Sequence, residues 1–296
     1  MLSKGDRLSL VRHVLSAIPT HFLMAIAFNS TAIKKVNRII RGFLWAGHKE
    51  ANGGQCHVNW QRVSRPISLG GLGIRDIHRT DISLHVRWLW LQRTDATRPW
   101  SHLHIPHDAD TSAIFRASTT WQLGAGDACR FWTDHWISGS SVAEIAPLVL
   151  ALVPRRLRKQ RCVCEGLHQR SWVQDIRGAL GPAAMVQHVE LWCLVRHTNL
   201  SSEPDTLRWH WSSSATYMAS SCYKALFFGA CEDPFWRLTW RPWAPLRVKF
   251  FLWLAMQDRC WTAERLARRG LPHDGACVLC DQEEETMHHL LAGCSF

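Results

Sequence analysis

The feature that most constrains this chain lies near its end, where Cys277-Val278-Leu279-Cys280 is followed by His289 and Cys294. The spacing is C-x2-C-x8-H-x4-C. A two-residue gap lets both thiolates of a tight turn reach one ion, and the next residues return two more ligands from a short helix. Three cysteines and a histidine close a tetrahedral shell and leave no position for water or substrate, so such a site holds a fold together and does not activate a nucleophile. Three soft thiolates and an imidazole point to structural Zn2+. His288 is a rival for the histidine position, because neighbouring helical residues point about 100° apart and only one can face the metal.

The remaining cysteines are scattered. Eleven in all, an odd number, do not form a secreted disulfide framework and fit a reducing, intracellular compartment, nuclear or cytoplasmic. No signal peptide opens the sequence. Its longest apolar stretch, from Val14 to Phe28, is broken by Pro19 and His21 and falls short of the ~20 residues a membrane span needs.

Charge is distributed unevenly. Residues 1–98 hold fifteen Lys and Arg against five acids, which is +10 of the chain's formal +11. A merely solubilising surface mixes its signs, so this third of the chain is expected to meet phosphate groups, of RNA or of DNA. Leu8, Val11, Val14, Leu15 and Ile18 recur at helical spacing, with Pro19 expected to end that helix. A second helix is expected from Ser30 or Thr31 as N-cap to Gly47 as terminator, burying Ile33, Val36, Ile40, Phe43 and Leu44. Its other face carries Lys34, Lys35, Arg38 and Arg41, a stripe suited to a nucleic-acid backbone. A third helical pattern runs through Ile82, Val86, Leu89 and Trp90. Between these, Gly70-Gly71-Leu72-Gly73-Ile74 lacks the spacing of a phosphate-cradling loop and reads as a turn that lets backbone pack closely.

The middle of the chain is less regular. Gly124-Ala125-Gly126-Asp127 reads as a turn, Arg130-Phe131-Trp132 as a short strand, and the basic run from Pro154 to Arg161 as an exposed connector. Cys162 and Cys164 have no second pair nearby, which argues against a metal there. A linker is expected at 201–205. Beyond it Leu207-Arg208-Trp209-His210-Trp211 alternates like a strand. A helix is expected from Ala219 to Phe228, then a buried, almost wholly apolar one from Val248 to Met256, then a short one from Thr262 to Arg269. Around these gather Arg247, Lys249, Arg259, Arg265, Arg268 and Arg269, while Asp281, Glu283, Glu284 and Glu285 make the tail acidic. Nucleic-acid contact here is therefore expected from the arginines and from Trp236, Trp240, Trp243, Trp253 and Trp261, either as stacking platforms or, where they fill the core, not at all.

Taken in order, these residues resemble a known arrangement. Phe43-Leu44-Trp45, Val58-Asn59-Trp60, Leu69-Gly70-Gly71-Leu72-Gly73-Ile74 and Arg87-Trp88-Leu89-Trp90 are similar to the region downstream of the polymerase core in plant LINE-type (non-LTR) retrotransposon reverse transcriptases. Gly126-Asp127, Phe131-Trp132 and Asp134-His135-Trp136 resemble its middle segment. Val248-Lys249-Phe250-Phe251-Leu252-Trp253-Leu254, Arg259-Cys260-Trp261-Thr262-Ala263 and the Cys277/Cys280/His289/Cys294 set resemble its reverse-transcriptase zinc-binding domain, which favours His289 over His288. The resemblance implies that the second and third helices belong to a thumb lying against the template–primer duplex, and that the Cys/His element helps engage RNA or target DNA. It also implies a partner, the remainder of a reverse-transcriptase polyprotein.

The fold expected is mostly α with a few short β-strands: a thumb-like basic helical region (1–100), an irregular connecting region (101–205) and a small helical zinc-binding domain (206–296). The Tyr/Phe-x-Asp-Asp pair that holds the catalytic metals of such polymerases does not occur in this sequence, and no acidic constellation suggests an endonuclease or RNase H. The expected function is that of a nucleic-acid-binding C-terminal fragment without the palm, neither an enzyme nor a binder of small-molecule substrates. The alternatives are a zinc-scaffolded protein–protein interaction module and a decayed element without selected function.

Overall fold

Local sequence sets the first helices. The Ser3 hydroxyl accepts from the Asp6 amide and the Asp6 carboxylate takes the Ser3 amide, a reciprocal cap for the helix Lys4–Leu10. The computed structural model describes residues 2–51, 53–95, 97, 99 and 106–296. After a π turn, Val11–Leu15, a second helix spans Ala17–Leu23. Pro19 thus does not end a helix. It stands in the first turn of Ala17–Leu23, where backbone N–H groups lack an intrahelical acceptor in any case. The π turn before it shifts the register, so Val14 and Ile18 are exposed while Leu8 and Val11 are fully buried.

The basic helix runs Ser30–Ala46. Its cap is Asn29 and not Ser30 or Thr31: the Asn29 carboxamide oxygen accepts from the Ala32 amide at 2.8 Å. Gly47 closes it in the left-handed region, φ 79°. Ile40 and Leu44 are buried, and Ile33, Val36 and Phe43 are half-buried.

The glycine-rich segment is the packing turn its sequence suggests. A Cβ on Gly71 would lie 2.0 Å from the Arg65 carbonyl oxygen. The neighbouring Gly70 carbonyl accepts from the Trp253 indole N–H at 2.9 Å, tying this turn to the apolar helix Leu246–Met256. That helix also packs against Lys4–Leu10, so closely that a Cβ on Gly5 would sit 2.5 Å from the Arg247 nitrogen. It buries Phe250, Trp253, Leu254 and Ala255 and leaves Val248, Phe251 and Met256 exposed. The run, apolar but for Lys249, suggested a buried helix, but these neighbours cover one side only.

These contacts belong to one of two compact units, formed by Met1–Asp81 together with Gly229–Phe296; the other is Ile82–Phe228. In the second unit the greater part of the helix Ile77–Thr94, from Ile82 on, sends Ile82, Val86 and Trp90 into a core rich in aromatics. Four short strands occur among the described residues: β1 (Thr119–Gln122), β2 (His135–Ile137), β3 (Ser140–Ser141) and β4 (Thr206–Trp209). β2 and β3 form a hairpin, and β1 pairs antiparallel with β4, Thr119 opposite Trp209. As the alternation implies, Leu207 and Trp209 face inward. Phe131, Trp132 and Trp172 are wholly or almost wholly buried, the Phe131 ring 5.0 Å from Trp132 and 5.9 Å from Trp172. The Trp132 indole donates to the Asp175 carboxylate at 3.1 Å, which satisfies its polar edge. Arg130-Phe131-Trp132 is not a strand; only Arg130 makes a bridge, to Cys162. The basic run after Pro154 forms a short helix, Arg155–Gln160.

Segment 201–205, read as a linker, is stitched into this unit. The Asp205 carboxylate accepts from four backbone amides, those of Gly124 (2.7 Å), Gly126 (2.9 Å), Ala128 (3.0 Å) and Cys129 (3.3 Å). A chain that presents four convergent amides at a Gly-x-Gly turn forms a small anion nest, and Asp205 fills it. Residues 206–228 therefore pack with the middle of the chain through β4, while 229–296 pack with its beginning. The boundary expected between residues 100 and 101 lies outside the described residues. The architecture is mostly α with a few short strands, as expected. No described helix is long and apolar enough to cross a membrane.

Candidate metal centre and basic surfaces

The tail folds back at Cys277. Ala276 bridges Glu284, the Cys277 amide donates to the Glu283 carbonyl at 2.7 Å, and the Asp281 amide donates to the Cys277 carbonyl at 2.8 Å. Asp281, with φ 53°, turns the chain. The loop aims the Gln282 and Glu283 amides at the Cys280 sulfur. These amides, then His289 and Cys277, pull the Cys280 thiol down to about 7.

The second half of the set comes from a π turn, His289–Gly293. Its Cys294 amide donates to the His289 carbonyl at 2.7 Å. This i→i+5 closure brings Cys294 above His289, where a regular α-helix would place residue 293 instead. The x4 gap in the sequence is thus matched to a widened turn.

All four ligand atoms, from Cys277, Cys280, His289 and Cys294, lie within 4.8 Å of one another. A tetrahedral Zn2+ at about 2.3 Å from each sulfur sets its ligands roughly 3.8 Å apart, so the set needs only a small contraction. Cys277 is fully buried and His289 4% exposed, whereas His288 is exposed. His289 Nε2 is 3.2 Å from the Cys280 sulfur, and Nδ1 is 3.0 Å from a Glu283 carboxylate oxygen. A carboxylate on Nδ1 fixes the tautomer that leaves Nε2 to a metal. Burial opposes a charge on His289, but its contacts with Cys280, Cys277 and Glu283 hold it above its ordinary value. Glu283, in sequence only one acid of an acidic tail, is the residue placed against His289 Nδ1.

The cations separate into several kinds. On the basic helix Lys34, Lys35 and Arg38 are exposed and Arg41 is half-buried. Arg38 pairs with Glu50 at 3.1 Å, but both side chains are 61% exposed, so the pair is weak and readily exchanged. In the C-terminal group Arg247 and Arg269 are exposed. Lys249 donates to the Trp240 carbonyl at 3.0 Å, and Arg268 is held by Asp258 and Glu264. Arg265 is buried, 4.9 Å from the Trp261 ring centre, with Arg269 at 5.0 Å from the same ring. Two guanidiniums on one indole are a cation–π arrangement that fixes Trp261. Trp253 is core and Trp243 is 100% exposed.

A further positive focus was missed because its members are far apart in sequence. Lys4 Nζ lies 3.2 Å from His57 Nε2. Burial, then the charges of Lys4, Arg265, Arg269 and Arg259, pushes His57 down to about 4. His57 thus stays neutral and accepts from the Lys4 ammonium.

Residues 217–296 match the family described as zinc-binding in reverse transcriptase. Over these residues the chain is similar to the zinc-binding segment of reverse transcriptases. It is also 28% identical over 327 aligned residues to the "Putative ribonuclease H protein" of Arabidopsis thaliana, an alignment that takes in 99% of this chain and 51% of the relative. The chain therefore spans about half the length of that relative. No solved structure matches it. Zinc is the cofactor that the four converging ligands suit and that the matched family binds.

Proposed function

We propose that this chain is a nucleic-acid-binding portion of a plant LINE-type (non-LTR) retroelement reverse transcriptase, with its tail folded on a structural zinc. The observation that carries the reading is the convergence of Cys277, Cys280, His289 and Cys294 inside the segment that matches the zinc-binding family. When bound, zinc supplies folding free energy and a charge sink, with no open position for substrate. The four side chains hold it, Glu283 orients His289, and the buried Cys277 keeps water from one side. Nucleic acid is engaged electrostatically by Lys34, Lys35, Arg38 and Arg41, with Arg247 and Arg269 adding exposed charge and Lys249, Arg265 and Arg268 acting mainly to position neighbouring groups.

In this proposal the chain is not itself a catalyst, although the Arabidopsis relative carries a ribonuclease H name; that protein is about twice as long. Template-dependent primer extension or cleavage of an RNA–DNA hybrid by the purified chain would overturn this part.

Two measurements test the rest. Elemental analysis should give one zinc per chain, lost on combining Cys277→Ser with Cys280→Ser. Duplex affinity should fall with salt at a log–log slope of about −0.9 per phosphate neutralised. Alanine at Lys34, Lys35, Arg38 and Arg41 together should flatten that slope and weaken all sequences alike. A quadruple variant that binds like the parent, beside a zinc-free protein that does not bind, would reassign recognition from the basic helix to the tail.

A further inference from the structure

The second unit contains a cleft of about 720 Å³, a size that suits a small ligand. It is bordered by the end of the helix Ile77–Thr94, the helix Ala109–Ser118, β1 and residues 130–135. Its charged lining is Arg93, Arg116, Arg130 and Lys159 against one acid, Asp134. That acid is already engaged. The Arg93 guanidinium donates to it at 2.7 Å and 3.4 Å, and the Arg130 backbone amide donates to it at 3.0 Å.

Three cations are left over. Arg116 and Lys159 are exposed at the cleft and make no ion pair among the described residues. Arg130 is half-buried, and its guanidinium has no hydrogen-bond partner among the described residues. Burial, then the neighbouring Arg93, lowers its pKa, with Asp134 opposing. A partly desolvated positive charge without a ligand is costly, and an anion brought into the cleft relieves that cost. Two of the histidines nearby do not change the balance: His135 Nε2 is taken by Glu144 at 3.1 Å, and His107 is itself engaged. The remaining lining mixes the apolar Leu89, Phe115 and Trp121 with polar side chains such as Gln92, Ser112 and Thr133.

Cations and aromatic side chains lining one cleft suit a ligand that carries phosphoryl groups next to a flat ring. We propose that this cleft is a binding site for a phosphorylated nucleotide unit, either a free nucleotide or one unit of a single strand. Arg130 and Arg116 hold the phosphoryl oxygens, Lys159 adds charge at the rim, and the ring lies toward Phe115. Neither the zinc set nor the basic helix contributes, so the proposal stands or falls separately from the function proposed above.

The test uses the full zinc-loaded chain. Calorimetric titration measures inorganic pyrophosphate and adenosine 5′-diphosphate, and fluorescence anisotropy measures a labelled single-stranded octanucleotide. Arg116→Glu combined with Lys159→Glu should weaken at least one probe by about tenfold or more. The quadruple alanine variant of the basic helix should bind pyrophosphate as the parent does. Loss of the small probes identifies a free nucleotide as the source, and loss of the octanucleotide alone identifies a strand. If the double variant misfolds by circular dichroism, Lys159→Ala is read in the same way, with a loss of about threefold expected. The proposal is overturned if the parent binds none of the probes, or if folded cleft variants bind all of them within twofold of the parent.

Discussion

Replacing Asp205 by Asn tests how firmly the middle unit is stitched together. The carboxylate accepts four backbone amides at 2.7–3.3 Å. An asparagine keeps one acceptor oxygen, enough for the Gly124 and Gly126 amides, which share Oδ1. Its NH2 then faces the Ala128 and Cys129 amides, donor against donor, where Oδ2 had accepted. Two hydrogen bonds to a charged acceptor are lost, each contributing about 1.5–3 kcal/mol. Water reaches this half-exposed site and recovers part of that, which leaves a cost of about 3 kcal/mol. The cost should appear as local opening, and at about 1.4 kcal/mol per decade it equals roughly a hundredfold. Hydrogen–deuterium exchange at neutral pH should therefore show amides 124–129 losing about a hundredfold in protection, with faster proteolysis at 201–205. Protection unchanged within about threefold would show that the four amides are satisfied in some other way and that 201–205 is a free linker after all.

Glu283→Gln should leave the zinc stoichiometry at one but weaken affinity about 10–100-fold in a chelator competition, because the carboxylate no longer orients His289; affinity equal to the parent refutes the orienting role. His288→Ala should leave zinc affinity unchanged, whereas His289→Ala should lose it. His57 should titrate by NMR with a midpoint near 4, and Lys4→Met should move that midpoint up. Because its folded value lies below that of the unfolded chain, the stability it contributes is complete above about 6.5 and is lost as pH falls through about 4. Acid unfolding of His57→Gln should be correspondingly flatter across that window, and a His57 midpoint at 6.5 or above would contradict the positive focus around it.

What the sequence discloses is what depends on near neighbours. The C-x2-C turn, the Gly47 stop and the alternation of Leu207 and Trp209 each express one local rule, and each appears where expected. Pro19 misleads because a π turn five residues long resets the helix before it, and nothing in the residues themselves announces that reset. Asp205 reads as part of a polar linker until Gly124 and Gly126 are seen to converge on it from about eighty residues away. The focus at His57 and the cleft at Arg130 are likewise sums over distant segments. Charge counts along the chain record how many cations there are, but not which of them a neighbour has already neutralised. Arg268 and Arg116 look equivalent in sequence, yet only one is held by two acids.

The first unit is built from Met1–Asp81 and Gly229–Phe296, with the whole of the second unit between them. During biosynthesis this order imposes a wait. The helix Lys4–Leu10 leaves the ribosome long before the helix Leu246–Met256 on which it packs. At about 5–20 residues per second, the intervening unit takes roughly 7–30 s to emerge. For that interval the helix Lys4–Leu10 lacks the helix on which it packs, and Trp45 lacks Phe250. The nascent chain is then most exposed to holding chaperones and to misassociation, and least so once residue 256 is free. A nascent chain arrested once residue 228 has emerged from the ribosome should display a folded middle unit and a sticky, protease-sensitive beginning.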